Sequence, residues 1–490
     1  MWLPGRNGPV TSHASVSRSR AAARRPPTVS SRSVEETVER EVKLDVPDGF
    51  ELPDLGGQPL EPRVFTSVYH DTADRSLARA GITLRRRTEL GRSVWQLKLP
   101  IDEARLELEE PGGPSGPPDR LRALLRAHER HDRVAPLAAL RTRRHGVVVD
   151  RDGSSSEVTV DEVSVMEGRR VEARFVEVEI ELKTGEPRPL RRIAKELERA
   201  GATKSSGEPK VFRVLQLASP AEGGDTPFER LRMLLRAQLR EILRHDPGTR
   251  LGSDPESLHD MRVAVRRTRA LLRAGGELAA TDTEMLVLEL AWLGGVLGEV
   301  RDLDVLLDRL RAEAAALDRA DAAAGERLLR GLQARRRRSR RALLRALDGN
   351  RYATLLDRFE STLDELEPAP TELTLDAVAA RQLKKLRRKV EAVGEAPTNA
   401  ELHELRKRGK RTRYAHELAG ATKVVDRAKA LQDVLGEHQD SVVAEETLRA
   451  LSHEAPPDQA LAAGLLIACE RERRATARAE WPKVWRTLAR

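Results

Sequence analysis

Residues 38–46 read VEREVKLDV. A β-strand sends alternate side chains to opposite faces. In that register Val38, Val42, Leu44 and Val46 share one face, broken at Arg40, while Glu39, Glu41 and Lys43 share the other. Taken alone, the pattern is an amphipathic strand with a solvated face. The competing reading is that the charged face lines an interior polar cavity. There, neighbouring carboxylates hold a hard cation and a lysine binds an anion.

The rest of the chain favours the cavity. FVEVEIEL (175–182) places Glu177, Glu179 and Glu181 on one face. TLRRR (83–87) aligns Arg85 and Arg87, VWQLKLP (94–100) carries Lys98, and ARLELEE (104–110) supplies Arg105, Glu107 and Glu109. Acidic strands at both ends of the region, with basic strands between them, predict a closed antiparallel barrel with a polar lumen. Carboxylates meeting across the closure would hold Mg²⁺ or Mn²⁺. Arginines and lysines would clamp phosphate oxygens, arginine in bidentate fashion.

Composition narrows the partners. The chain has 490 residues, one cysteine (Cys469) and a net charge of +9. One cysteine excludes a disulfide framework and fits a reducing compartment. No apolar run reaches membrane-spanning length, so a cytoplasmic protein is expected. The first 33 residues hold six arginines and no acids, and read as a disordered basic tail. Residues 34–221 carry 32 Lys and Arg against 34 Asp and Glu, and residues 222–490 carry 49 against 44. Neither region is strongly basic, and aromatics make up 3% of the chain. Grips on single-stranded nucleic acid stack bases on aromatic rings, so nucleic acid is a weaker expectation than a ligand made only of phosphates.

The chain changes character near residue 218. Residues 34–217 read as strands interrupted by helices near 118–131 and 188–200. A linker is expected over 218–226. From 227 to 490 the apolar residues recur at helical spacing. This region repeats: LHDMRVAVRRTRALLR (258–273) matches LHELRKRGKRTRYAHE (402–417), and LGGVLGEVRDLDVLLDRL (293–310) matches LQDVLGEHQDSVVAEETL (431–448). Two similar helical bundles are therefore expected, over about 227–348 and 371–490, related by a pseudo-twofold axis. His259, Arg262, Arg266, Arg269 and Arg273 fall on one helix face, as do His403, Arg406, Lys410 and Arg413. Like charges stacked in this way repel, and a polyanion laid along them would relieve the repulsion. Asp302, Asp304 and Asp440 follow the LGE segments, read as turns, and could pair with these arginines. The arginine-rich run 335–341 reads as a solvated helix face.

Both regions resemble known families. EREVKL, with VYHDTADRSLARAGITLRRRTELGRSVWQLKLP and VEVEIEL, resembles the CYTH superfamily of triphosphate tunnel enzymes over residues 34–217. The resemblance implies an eight-stranded tunnel that hydrolyses inorganic triphosphate with a divalent metal. It implies Glu39, Glu41 and Lys43 at the catalytic centre, and Glu39, Glu41, Glu177, Glu179 and Glu181 as metal ligands. Lys43, Arg85, Arg87, Lys98, Arg105 and Lys210 would bind phosphate. So would one arginine of RTRR, Arg143 or Arg144, with Arg143 preferred. Asp161 fits an acidic position of a later strand. Pro209 stands where the family tends to carry a serine.

The repeated helical segments resemble the CHAD domain, the conserved histidine α-helical domain. That resemblance implies a basic pore binding inorganic polyphosphate through the two His-led stripes, and association with polyphosphate granules. The fold class expected is thus α+β and multidomain: a β-tunnel followed by paired helical bundles. A rival expectation is a non-catalytic polyphosphate binder with a vestigial tunnel.

Overall fold

The computed structural model describes residues 35–47, 49–101, 104–205, 210 and 226–490. The expected tail over 1–33, nearly all of the 218–226 linker, and Pro209 lie outside the described residues.

Ten strands form one antiparallel sheet. They are β1 (Glu35–Glu39), β2 (Glu41–Asp45), β3 (Gln58–Asp71), β4 (Thr83–Glu89), β5 (Arg92–Ile101), β6 (Ala104–Pro111), β7 (Ala135–Arg151), β8 (Ser154–Glu167), β9 (Arg170–Thr184) and β10 (Thr203–Lys204). Their order is β1-β6-β5-β4-β3-β7-β8-β9-β2-β10. This corrects the expectation of a closed eight-stranded barrel, since the hydrogen-bonded order is open and has ten members. The reason lies in VEREVKLDV itself. Arg40 interrupts the strand, so Val38 pairs with Leu106 on β6 while Lys43 pairs with Glu179 on β9. One stretch of sequence serves both flanks of the sheet as two strands.

Alternation sorts the side chains. Leu44, Val158, Val160, Val178 and Ile180 point outward under α3 (Arg188–Arg199), which buries Leu190, Ile193 and Leu197 against them. Each such side chain contributes about 1.5–3 kcal/mol of apolar burial. The residues between them point inward. Two-residue hairpins fix this register. Leu90–Gly91 and Asp152–Gly153 all have positive φ, the twist that suits a tight antiparallel turn. Gly146 on β7 is required by close approach, because a Cβ there would lie 2.1 Å from the Val158 carbonyl oxygen.

The inward face is not polar throughout. Beyond Arg144, Asp161 and Glu177, the same faces of β7, β8 and β9 carry Leu140, Val163, Val165 and Phe175. These pack with Tyr69 and Ala78 into an apolar floor. Two further short helices are α1 (Ser76–Arg79) and α2 (Asp119–Leu124). The helix expected over 118–131 thus stops early.

The carboxy-terminal region is all helical among the described residues. It comprises α4 (Pro227–Leu251), α5 (Pro255–Gly275), α6 (Glu284–Ala315), α7 (Arg319–Asp348), α8 (Asn350–Asp364), α9 (Leu375–Glu391), α10 (Asn399–Ala419), α11 (Thr422–Ser452) and α12 (Pro457–Ala489). Thr226 and Thr398 open α4 and α10 with matching capping boxes to Glu229 and Glu401. The LGE segments are not turns. They lie inside α6 and α11, where Gly298 and Gly436 leave room for Arg262 and Arg406; a Cβ would sit 3.4 and 3.6 Å from those guanidinium groups. The run 335–341 is only partly a solvated face. Arg336 pairs with Asp304, and Arg340 donates to the carbonyls of Thr249 and Arg250.

A polar seam joins the sheet to the helices. His128 is buried, with Nδ1 2.8 Å from Ser76 Oγ and Nε2 3.1 Å from the Leu243 carbonyl oxygen. Burial drives its pKa down to about 4, so the ring is neutral. Arg130 donates to Asp357 and Glu360 of α8, at 2.9 and 2.5 Å.

Candidate functional site: a charged cavity in the sheet and a basic stripe on the helices

The inward faces of the sheet enclose a cavity of about 330 Å³. Nine basic and seven acidic side chains line it, a net charge of +2. Glu39, Glu41, Lys43, Arg85, Arg87, Lys98, Arg105, Glu179, Glu181 and Lys210, all singled out in the sequence, are among them. Lys98 Nζ lies 2.5 Å from Glu39 and 3.4 Å from Glu107. Arg85 donates to Gln96 Oε1 at 2.6 Å and Tyr69 Oη at 3.2 Å. Arg87 donates to Glu89 at 2.5 Å and lies over the Phe65 ring, 3.8 Å from its centre. Arg105 donates to the Gly81 carbonyl at 2.8 Å. Burial raises the Glu39 carboxyl above its usual range, against the pull of Lys98.

The deepest group is a knot of three carboxylates. Asp161, Glu177 and Glu179 each offer an oxygen within 4.8 Å of the others. Lys43 and Lys210 both reach into it. Lys43 bonds Glu179 and lies 3.5 Å from Glu41; Lys210 bonds Glu177 and lies 2.9 Å from Asp161 and 2.7 Å from Glu179. Arg144 forks onto Asp161 at 2.7 and 2.6 Å and touches Glu179 at 2.5 Å. Burial favours neutral Glu179, yet Lys210, Lys43 and Arg144 hold its pKa well below the usual carboxylate range. Burial likewise opposes the charge on Lys43, but Glu179 and Glu41 raise its pKa.

The structure arranges two sets of expected residues differently. Arg143 points away from the cavity toward Glu162, 3.9 Å off, and is exposed; Arg144 is the inward arginine. Within RTRR, Arg143 and Arg144 are adjacent and of opposite parity, and the pairing of Arg144 with Asp161 across β7 and β8 selects the second. The five expected metal ligands are not one group. Glu177 and Glu179 meet Asp161, whereas Glu39 pairs with Lys98 and Glu181 with Lys183 at 2.7 Å. Sequence reasoning also passed over Tyr69 and Gln96, which aim Arg85. Their inward parity was the available signal.

On the helices, α5 and α10 lie against each other, with Arg266 Nε 2.9 Å from Tyr414 Oη. Arg262 pairs with Asp302 at 2.9 Å and Arg413 with Glu417 at 3.1 Å. His259, Arg262, Arg266, Arg269, His403, Arg406, Lys410 and Arg413 are half-buried, while Arg273 is exposed. Burial, then Arg406, Arg266 and Arg262, drive the Lys410 pKa down to about 7, with Asp440 opposing. Arg406 Nε is buried and finds no hydrogen-bond partner among the described residues.

Comparison with known proteins places both regions. The CYTH domain matches residues 37–213, and the CHAD domain matches residues 233–449. The uncharacterized protein Rv2226 of Mycobacterium tuberculosis is 32% identical over 455 residues, which cover 84% of this chain and 88% of that one. The chain is a CYTH–CHAD protein. The CHAD half is similar to the CHAD domain from the plant Ricinus communis, at 27% identity and a TM-score of 0.46, covering 54% of this chain and 92% of that one. HpAC1 from Hippeastrum, described as having a dominant triphosphatase activity, is 19% identical with a TM-score of 0.27, covering 38% of this chain and all of that one. In the CYTH–CHAD chain no helix among the described residues is long and apolar enough to cross a membrane.

Proposed function

We propose that the cavity hydrolyses inorganic triphosphate with a divalent metal, and that the helical stripe binds inorganic polyphosphate. The observation that carries the first part is a chamber lined by nine basic and seven acidic side chains, with the buried carboxylates of Asp161, Glu177 and Glu179 gathered at one point. Among the described residues the lining carries one aromatic side chain, Tyr69, and it is engaged with Arg85, which favours a ligand without a base.

The carboxylates fit a hard cation by donor type, because Mg²⁺ and Mn²⁺ take oxygen ligands. Asp161, Glu177 and Glu179 would hold it, with Glu39 and Glu41 on the neighbouring wall. A bound divalent ion supplies charge neutralisation on phosphate oxygens. The protein's own part is positioning. Arg85, Arg87 and Arg105 bind phosphate oxygens, with Gln96, Tyr69 and Phe65 fixing where the first two point. Lys43 and Lys210 exchange carboxylate partners for phosphate. Water attacks a terminal phosphorus, the P–O bond to the bridging oxygen breaks, and orthophosphate and pyrophosphate leave. Glu39, whose carboxyl is raised by burial, accepts the proton of the attacking water.

The stripe reading rests on Arg262, Arg266, Arg406 and Lys410 gathering between α5 and α10 with two aspartates, Asp302 and Asp440, to oppose them. A chain of phosphates would supply the missing counter-charge. Such a surface would also hold the protein on polyphosphate granules.

The test is phosphate release from inorganic triphosphate, ATP and thiamine triphosphate, with Mg²⁺ or Mn²⁺ and with EDTA. Metal-dependent release, greatest with inorganic triphosphate and lost in Glu39→Ala/Glu41→Ala, is expected. No release from any of the three would favour the rival reading, a polyphosphate binder whose cavity is vestigial. The seating of Lys43 and Lys210 among the carboxylates is the observation on that side.

A further inference from the structure

A second cavity, of about 430 Å³, lies among α10, α11 and α12. Asn399 contributes from the start of α10, Glu445, Glu446 and Arg449 from α11, and Arg474 and Arg478 from α12. Its charges do not balance. Glu445 is buried and accepts from three guanidinium groups: Arg449 at 2.8 Å, Arg471 at 2.8 Å and Arg474 at 2.5 Å. One carboxylate cannot neutralise three cations. Arg478 adds a fourth. It is held by the Pro397 carbonyl and Asn399 Oδ1, both at 2.7 Å, and makes no ion pair among the described residues. Glu446 is exposed at the rim.

A buried histidine lies close by. His438 lies one turn before Val442, is 1% exposed, and neither ring nitrogen has a hydrogen-bond partner among the described residues. Burial, then Arg478 and Arg474, hold its pKa down at about 4. The ring is neutral, and positive potential surrounds it.

This groove is not the stripe described above. At about 100° per residue, His438, Val442, Glu445 and Arg449 sit about 140–200° around α11 from Asp440. Asp440 is the acid that faces Arg406 and Lys410. The two basic surfaces therefore occupy opposite sides of one helix.

We propose that the groove is a separate binding site for a phosphate-class oxyanion, held by Arg474 and Arg478. Guanidinium forks match phosphate oxygens in bidentate geometry. The oxyanion is free orthophosphate or one phosphate of a longer chain.

The test uses the full-length protein. Equilibrium dialysis with radiolabelled orthophosphate counts bound ions in the wild type, in Arg474→Gln/Arg478→Gln and in Arg406→Gln. Calorimetry with polyphosphate repeats the comparison. The double variant is expected to lose one orthophosphate that Arg406→Gln retains. A loss seen only with polyphosphate would assign the groove to a chain segment. Unchanged binding of both would overturn the proposal. Should the double variant misfold, Glu446→Lys keeps the question open to disproof: it adds a rim cation and should tighten orthophosphate severalfold, and no change would count against the site. Triphosphate hydrolysis should be unaltered in both, so an inactive cavity and an unoccupied groove are separate outcomes.

Discussion

Lys43 and Lys410 are both partly buried lysines, and their surroundings push them in opposite directions. In the sheet, Glu179 and Glu41 overcome burial and raise the Lys43 pKa. On α10, burial and three arginines lower that of Lys410 to about 7. The cavity thus carries its own counter-ions, and an anion entering it must exchange places with carboxylates. The stripe carries fewer of them, Asp302, Glu417 and Asp440 against its arginines and Lys410, and on the reading proposed above an anion settling there would make up the difference. One region trades partners; the other waits for one.

That contrast can be broken experimentally. The largest effect is expected where a balanced network loses one sign. Arg144→Ala leaves Asp161 and Glu179 short of a buried partner and should destabilise the protein by about 3–5 kcal/mol, read from the urea midpoint. A shift under 1 kcal/mol would mean that the network is not the cavity's scaffold. Next, Lys43→Ala should lower triphosphate turnover by about 10²–10³-fold, the scale seen when one preorganised charge donor is removed. A change confined to KM would reassign Lys43 to ground-state binding.

The third effect concerns pH. Lys410 has a folded pKa of about 7 against an ordinary 10.5. Between those values the unfolded chain binds more protons, so the contribution of Lys410 to stability rises with pH across that window. Anion binding runs the other way. It requires the charged ammonium, so polyphosphate affinity should fall as pH climbs above about 7, by no more than tenfold per unit for one proton. Lys410→Arg, which carries at this position the residue found at Arg266 in the first repeat, should flatten both slopes. Calorimetry in buffers of different ionisation enthalpy would detect the proton taken up. The smallest effect sharpens the assignment within RTRR. Arg143→Ala should alter turnover less than twofold and stability by under about 1 kcal/mol, as for an exposed pair.

Much of this was legible in VEREVKLDV and its counterparts, because strand parity is a local property. The inward set Glu39, Glu41, Lys43, Arg85, Arg87, Lys98, Arg105, Glu179 and Glu181 follows from counting by twos. What parity cannot supply is where counting restarts. Arg40 divides one strand into two, and the two-residue β10 adds another, which together make ten strands of an expected eight. Arg143 and Arg144 are adjacent and equally basic, so only the cross-strand partner separates them. The grouping of Asp161 with Glu177 and Glu179 depends on neighbours brought together by β7, β8 and β9. On the helices the repeat located the stripes, but the LGE glycines looked like turns. Their purpose, clearance for Arg262 and Arg406, emerges only once α5 faces α6 and α10 faces α11.

The apolar floor of Leu140, Val163, Val165, Phe175 and Tyr69 lies on the same strand faces as the charged groups. A phosphate chain is charged at every link, and no link gains by leaving arginine for a layer of hydrocarbon. On the reading proposed above, this layer would be the stop against which the inner phosphate rests. Chain length would then be measured from that stop outward.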